Sequence, residues 1–222
     1  MKKYELTSEA KVINGVELHR IKALESFGNI KKGDLGGWIE SEKNLSQYGN
    51  AWVFDNATVF ENATVFEDAT VGGDATVCGN ATVCENATIE GYAMVSNNAK
   101  VSGNAWVEGH ATVGDNANVY ENAMVCDNAT VSDNAKVSGN AWVGGNATVR
   151  GNEDYIVFKN WWSSGRYFTW TRSNNKWSVG CFYGSGEELV AKAYKDSEKS
   201  GREYERVVNY VESILKEENN NK

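Results

Sequence analysis

From Ala51 to Val149 the triplet Ala-x-Val returns every six residues through seventeen units, with no insertion and with Ile89 the sole departure at the Val position. A strict period restricts the fold more than composition can. Neither an α-helix nor a flat antiparallel strand closes on six residues. A coil of short parallel strands does, if each hexad supplies one flat side and one corner. Ala and Val stand two apart and so point the same way, which must be inward.

The residue before each Ala is Asn in thirteen units, Asp at 68 and 74, and Tyr92 or His110 in the other two. Asn and Asp tolerate the left-handed backbone region better than other residues with a Cβ, so this position is predicted to be the sharp corner. The Asn-Ala-Thr triplets match a glycosylation acceptor but are read as corner code. Proline is absent from all 222 residues, as expected where every ladder amide is needed.

The hexad Val59-Phe60-Glu61-Asn62-Ala63-Thr64, an aliphatic residue followed four positions later by a small one, resembles the motif of the hexapeptide-repeat family. The resemblance implies a mainly β fold: a left-handed parallel β-helix, a triangular prism with three hexads to each 18-residue coil. The hand comes from the resemblance alone, because general rules favour right-handed crossovers. At roughly 4.8 Å per strand, about 5.7 coils span about 27 Å.

Open coil ends expose unpaired strand groups and need caps. Residues 1–48 are read as an N-terminal cap, with an Asn14-Gly15 hairpin turn between β-rich arms in residues 11–24. Phe54, Phe60 and Phe66 are expected to anchor it. Gly33-Asp34-Leu35-Gly36-Gly37-Trp38-Ile39-Glu40 resembles a segment of uncharacterised phage and prophage hexapeptide-repeat proteins. Residues 49–150 form the repeat body. Residues 151–222 read as a β-β-β-α-α module, with strands near 154–162, 166–172 and 176–183. Its helices are expected to open at the capping boxes Ser185/Glu188 and Ser200/Glu203, and the tail Asn219-Asn220-Asn221-Lys222 to fray.

Net charge is −8, and the distribution is uneven: three Lys/Arg against twelve Asp/Glu in residues 49–150, near balance elsewhere. Such a body repels nucleic acid and anionic membranes and admits a basic partner. With no apolar run of membrane-spanning length and no hydrophobic leader, the expected location is the cytosol, that of the host if the chain is phage-encoded.

Within the hexapeptide family some members are acyltransferases, and that resemblance implies a catalytic His as general base. His110 is the one repeat histidine and would have that role; the alternative is a corner side chain standing in water. His19 has no evident carboxylate beside it. One repeat histidine is too few for the three-His zinc site of another branch, so no metal and no cofactor are expected. Cys78, Cys84 and Cys126 fall in three different columns modulo 18 and, with Cys181, read as unpaired thiols. Glu67 over Glu85 and Asp115 over Asp133 stack like charges, a spacing that would suit a loosely held cation.

Outward positions are mostly Thr, but Trp52, Trp106 and Trp142 are separated by multiples of 18 and share a column with Met124. This column is read as a subunit or partner interface, against the alternative that the C-terminal module folds over it. In the module, Lys159, Arg166, Arg172 and Lys176 alternate with Trp161, Trp162 and Trp170, a texture suited to stacking a nucleotide beside cations; the plainer reading is that the aromatics make the core. The favoured function is a non-enzymatic, phage-type binding or structural protein, a homo-oligomer (dimer or trimer). It would mask a host protein or sequester a small nucleotide in host defence. The alternatives are an acyltransferase using acyl-CoA through His110 and an architectural virion part.

Overall fold

The computed structural model describes residues 2–220. At the N-terminus β1 (Tyr4–Ile13) and β2 (Val16–Ala23) form a hairpin closed by Asn14 and Gly15, both at positive φ, followed by β3 (Leu35–Ile39). Seventeen two-residue strands follow at six-residue spacing, β4 (Trp52–Val53) to β20 (Thr148–Val149), stacked in parallel into three sheets. At three strands per coil this is a parallel β-solenoid of about six turns. Residues eighteen apart pair: Met94 with Thr112 in sheet I, Thr88 with Trp106 in sheet II, Lys100 with Asn118 in sheet III. Every repeat Ala and Val is buried to within 1%.

The corner differs from expectation by one residue. Positive φ falls two residues before Ala, at Asp55, Glu61, Glu67, Glu85, Asn97, Asp115, Glu121, Asp127 and Asp133, with glycine at the remaining corners. A left-handed Glu carries a backbone cost of order 1 kcal/mol, and here its carboxylate offsets it. Where a Glu or Asp stands at the corner one coil below, the corner amide, which has no backbone acceptor, donates to its carboxylate: Gly79 to Glu61 at 2.6 Å, Glu85 to Glu67 at 2.7 Å, Gly139 to Glu121 at 2.7 Å. Much of the acidic excess of the body therefore serves its own backbone. The Asn before Ala instead builds a side-chain amide ladder, Asn62 to Asn80 to Asn98 to Asn116, with bonds of 3.0–3.2 Å.

The two ends of a parallel coil have opposite polarity, and the caps match it. At the first coil carbonyls are orphaned. Trp38 N–H donates to Ala57, Asn44 Nδ2 to Glu61 and Ala63, and Lys3 Nζ to Gly49 and Ala51, one donor set per sheet. At the last coil amides are orphaned. Lys136 N–H donates to Asn152 Oδ1, Trp142 N–H to Thr169 Oγ1 and Thr148 N–H to Ser173 Oγ. Gly36 and Gly37 allow β3 to lie against the first coil, since a Cβ at either would stand 2.6 Å from Ile21 or Val53. Phe60 is buried against Leu18 and Trp38 of the cap, whereas Phe54 and Phe66 are only half-buried.

The C-terminal module has four strands rather than three: β21 (Tyr155–Lys159), β22 (Tyr167–Thr171), β23 (Lys176–Val179) and β24 (Phe182–Gly184). Gly180, at φ 56, opens a two-residue hairpin with Cys181 and splits the expected third strand. Helix α1 (Gly186–Asp196) begins at the predicted box, Ser185 and Glu188 exchanging bonds of 3.2 and 2.7 Å. Helix α2 (Glu198–Asn220) begins earlier than predicted. Extended Ser197 ends α1 and its hydroxyl accepts the Ser200 amide at 3.1 Å, so Ser200 lies inside the helix. Of the tail, Asn219 and Asn220 continue α2, while Asn221 and Lys222 lie outside the described residues. Among the described residues no helix is long and apolar enough to cross a membrane.

Candidate functional site

The tryptophan column is not a continuous exposed stripe. Trp52 is 1% exposed, held edge-on by Tyr4 and Phe27 at ring distances of 6.1 and 5.4 Å. Its size serves the N-terminal cap. Trp142 is half-buried where β22 and β23 fold back onto the last coil, and its indole N–H donates to Cys126 Sγ at 2.9 Å. That leaves Trp106, 40% exposed, and half-buried Met124 as the open part of the column.

His110 stands exposed at a corner, stacked flat on Tyr92 with ring centroids 4.9 Å apart, and among the described residues it forms no ion pair. His19, in contrast to expectation, has Glu17 at 3.9 Å. All four cysteines are unpaired. Burial pushes the Cys126 thiol up to about 12 and raises those of Cys84 and Cys78. The stacked carboxylates are occupied by backbone amides: Glu67 holds the amide of Glu85, and Asp115 that of Asp133 at 3.2 Å. Among the described residues no group of three or more His, Cys, Asp or Glu is placed to hold a metal ion.

In the module the seven predicted ligand residues do not converge. Trp162 and Trp170 are core, packed with Phe168, Trp177, Leu189 and Tyr204. Arg172 is committed to Glu218 on α2 and to the Glu153 carbonyl, which fastens the helix to the sheet. Trp161 projects outward, 72% exposed. Lys159 lies over the Tyr167 ring at 5.5 Å, and Lys176 is half-buried on β23. Alternation of cations and aromatics along a strand reported a two-faced sheet, and it failed as a guide to a shared site. Of the seven, Arg166 borders the cavity between the sheet and α1.

That cavity, of about 370 Å³, opens between the 160–166 loop, the β23–β24 turn, α1 and the start of α2. Leu189, Lys192, Ala193 and Asp196 reach it from one face of α1 by their i, i+3, i+4 and i+7 spacing. Asn160, 3% exposed, braces the wall. Its Nδ2 donates to Tyr204 Oη at 2.9 Å, and its Oδ1 accepts the Ser163 amide and hydroxyl at 3.0 and 3.1 Å. Tyr204 is 7% exposed, and burial raises its phenol above the ordinary range, so it keeps its proton. Lys192 Nζ sits 5.6 Å from the Phe182 ring, and among the described residues neither Lys192 nor Arg166 forms an ion pair. Sequence reasoning missed Asn160, Lys192, Asp196 and Tyr204. The helical spacing in α1 was the available signal.

No protein-family model matches the chain. It is similar to a protein of Escherichia coli strain K12 described as an uncharacterized acetyltransferase, YdcK, at 35% identity over 63 residues, or 25% of this chain and 19% of that protein. The chain thus spans about a fifth of the length of this curated relative. The solenoid and this local likeness support the hexapeptide-repeat resemblance.

Proposed function

We propose that the chain is a binding protein in which a rigid solenoid carries a C-terminal module that takes a small phosphate-bearing ligand of the nucleotide class. The observation that supports this is that Arg166 and Lys192, which form no ion pair among the described residues, share one cavity with a buried neutral phenol. Concave sites with a few convergent polar groups are where small molecules bind. Arg166 and Lys192 suit a phosphate, the Ser164 and Tyr204 hydroxyls add donors, and Asp196 suits an N–H at the ligand's other end. Thermal denaturation with AMP or pyrophosphate tests the reading. A raised melting temperature, lost in Arg166→Gln/Lys192→Gln, is expected; no shift with either compound contradicts it.

A second reading, acyl transfer from acyl-CoA with His110 as base, is favoured by the printed description of the Escherichia coli relative. Comparison favours it and geometry does not, because His110 is exposed on an unbroken coil and needs a second chain to wall the site. Transfer from acetyl-CoA that disappears in His110→Ala would establish it over the binding reading. The narrower roles in host defence or in a virion rest on the resemblance of residues 33–40 and are not carried into this proposal.

A further inference from the structure

The large hydrophobic side chains exposed on the repeat body gather at one place. Tyr92, Met94 and Trp106, respectively 62%, 40% and 40% exposed, wrap the edge where sheet II turns into sheet I, midway between the two caps. Trp106 pairs in register with Thr88 below and Met124 above, and Met94 with Thr76 and Thr112. The flat Tyr92–His110 stack carries this surface around the corner. Among the described residues nothing covers it, whereas Trp52 and Trp142 in the same column are covered by the caps. Contiguous exposed aromatic surface of this kind marks contact with a partner.

The charges beside the patch define the partner. Glu90 and Glu108 stand two residues after Thr88 and Trp106, and strand alternation puts them on the same outer face, one coil apart. Among the described residues neither forms an ion pair. The repeat body has three cations, and none is on sheet II: Lys100 and Lys136 belong to sheet III, and Arg150 follows β20 and pairs with Asp133 at 3.9 Å. A second copy presenting the same face would bring more carboxylate to Glu90 and Glu108 and add another acidic body, at a Coulombic cost.

We infer that this edge docks a cationic segment of a partner protein, with Arg or Lys side chains on Glu90 and Glu108 and over the Trp106 ring, and its apolar side chains against Met94 and Tyr92. Guanidinium over indole, flanked by carboxylates, combines cation–π attraction with ion pairing. The proposal is independent of the C-terminal cavity and of His110 chemistry.

The test uses the full chain and two labelled peptides, one alternating Arg and Leu, the other alternating Glu and Leu, followed by fluorescence anisotropy at low ionic strength. The Arg-Leu peptide is expected to bind and the Glu-Leu peptide not. Glu90→Gln/Glu108→Gln and Trp106→Ala are each expected to weaken binding about tenfold or more. Glu212→Gln/Glu217→Gln, which removes as much charge from α2, is expected to leave binding unchanged. The substituted side chains point out of the coil, and an unchanged circular dichroism melt verifies the fold. Failure of the Arg-Leu peptide to bind, equal binding of both peptides, or unaltered affinity in the sheet II variants overturns the proposal. So does a wild-type dimer in light scattering that Trp106→Ala dissociates, since a second copy then occupies the face.

Discussion

The ammonium of Lys3 donates to the carbonyl of Ala51 at 2.8 Å, inside a cap where Lys3 itself is only 2% exposed. A buried lysine is costly unless it is hydrogen-bonded, and here it satisfies carbonyls that the first coil cannot pair. Burial holds its pKa down at about 8, against the pull of Asp68 and Glu25. The folded state therefore loses the proton first. Below about pH 8 both states are protonated and the burial penalty is constant, while between about pH 8 and 10.5 the unfolded state binds more proton and stability rises with pH. Urea unfolding of wild type and Lys3→Met across this range is expected to show the difference shifting toward wild type by at most about 3 kcal/mol. A pH-independent difference contradicts the assignment.

At the opposite end, Thr169 accepts the Trp142 amide at 2.8 Å and is completely buried. Thr169→Val keeps the shape and removes the acceptor, so it is expected to cost about 1–3 kcal/mol in chemical denaturation. Hydrogen exchange at the Trp142 amide should accelerate in parallel. An unchanged midpoint and exchange rate would show that the module does not cap the coil through this bond.

Gly37→Ala places a methyl 2.6 Å from Val53 Cγ1 and 2.7 Å from the Ala57 carbonyl. Overpacking of this kind is expected to destabilise by about 1–3 kcal/mol. Gly33→Ala, where a Cβ meets nothing within 4 Å, is strained through its φ of 96 instead. Gly37→Ala should therefore loosen β3 from the coil, read as faster exchange at the Trp38 amide, while Gly33→Ala should leave that amide protected.

The cysteines offer a check on packing. Cys181 is exposed, while Cys84 and Cys126 are buried, with the Cys126 thiol pushed up to about 12. Iodoacetamide near pH 8 is expected to modify Cys181 first, and Cys84 and Cys126 only on unfolding. Early modification of Cys126, mapped by mass spectrometry, would contradict the packing of Trp142 over it.

Much of this was legible because one hexad repeats: Ala and Val inward, columns at eighteen, and a hairpin at Asn14-Gly15 all follow from local periodicity and turn chemistry. The left-handed propensity of Asn points one residue away from the true corner, because the orphaned corner amide favours an acidic side chain there and leaves Asn to the ladder. The tryptophan column was misjudged for a related reason. Register is visible in sequence, but what folds back over Trp52 and Trp142 is a long-range contact with no local signature. The cavity depends on the packing of α1 and α2 against the 160–166 loop, so Lys192 and Tyr204, far apart from Asn160 in sequence, could not be grouped with it beforehand.

The central claim, that the cavity bordered by Arg166 and Lys192 binds a phosphate-bearing small molecule, is tested most directly by isothermal titration of the full chain with AMP. Alkylation of Cys181, which lines the same cavity, serves as a second readout. Saturable single-site binding is predicted, weakened about tenfold or more in Arg166→Gln/Lys192→Gln, with AMP slowing the modification of Cys181. Absence of binding heat, or binding that neither depends on these two cations nor protects Cys181, would contradict it.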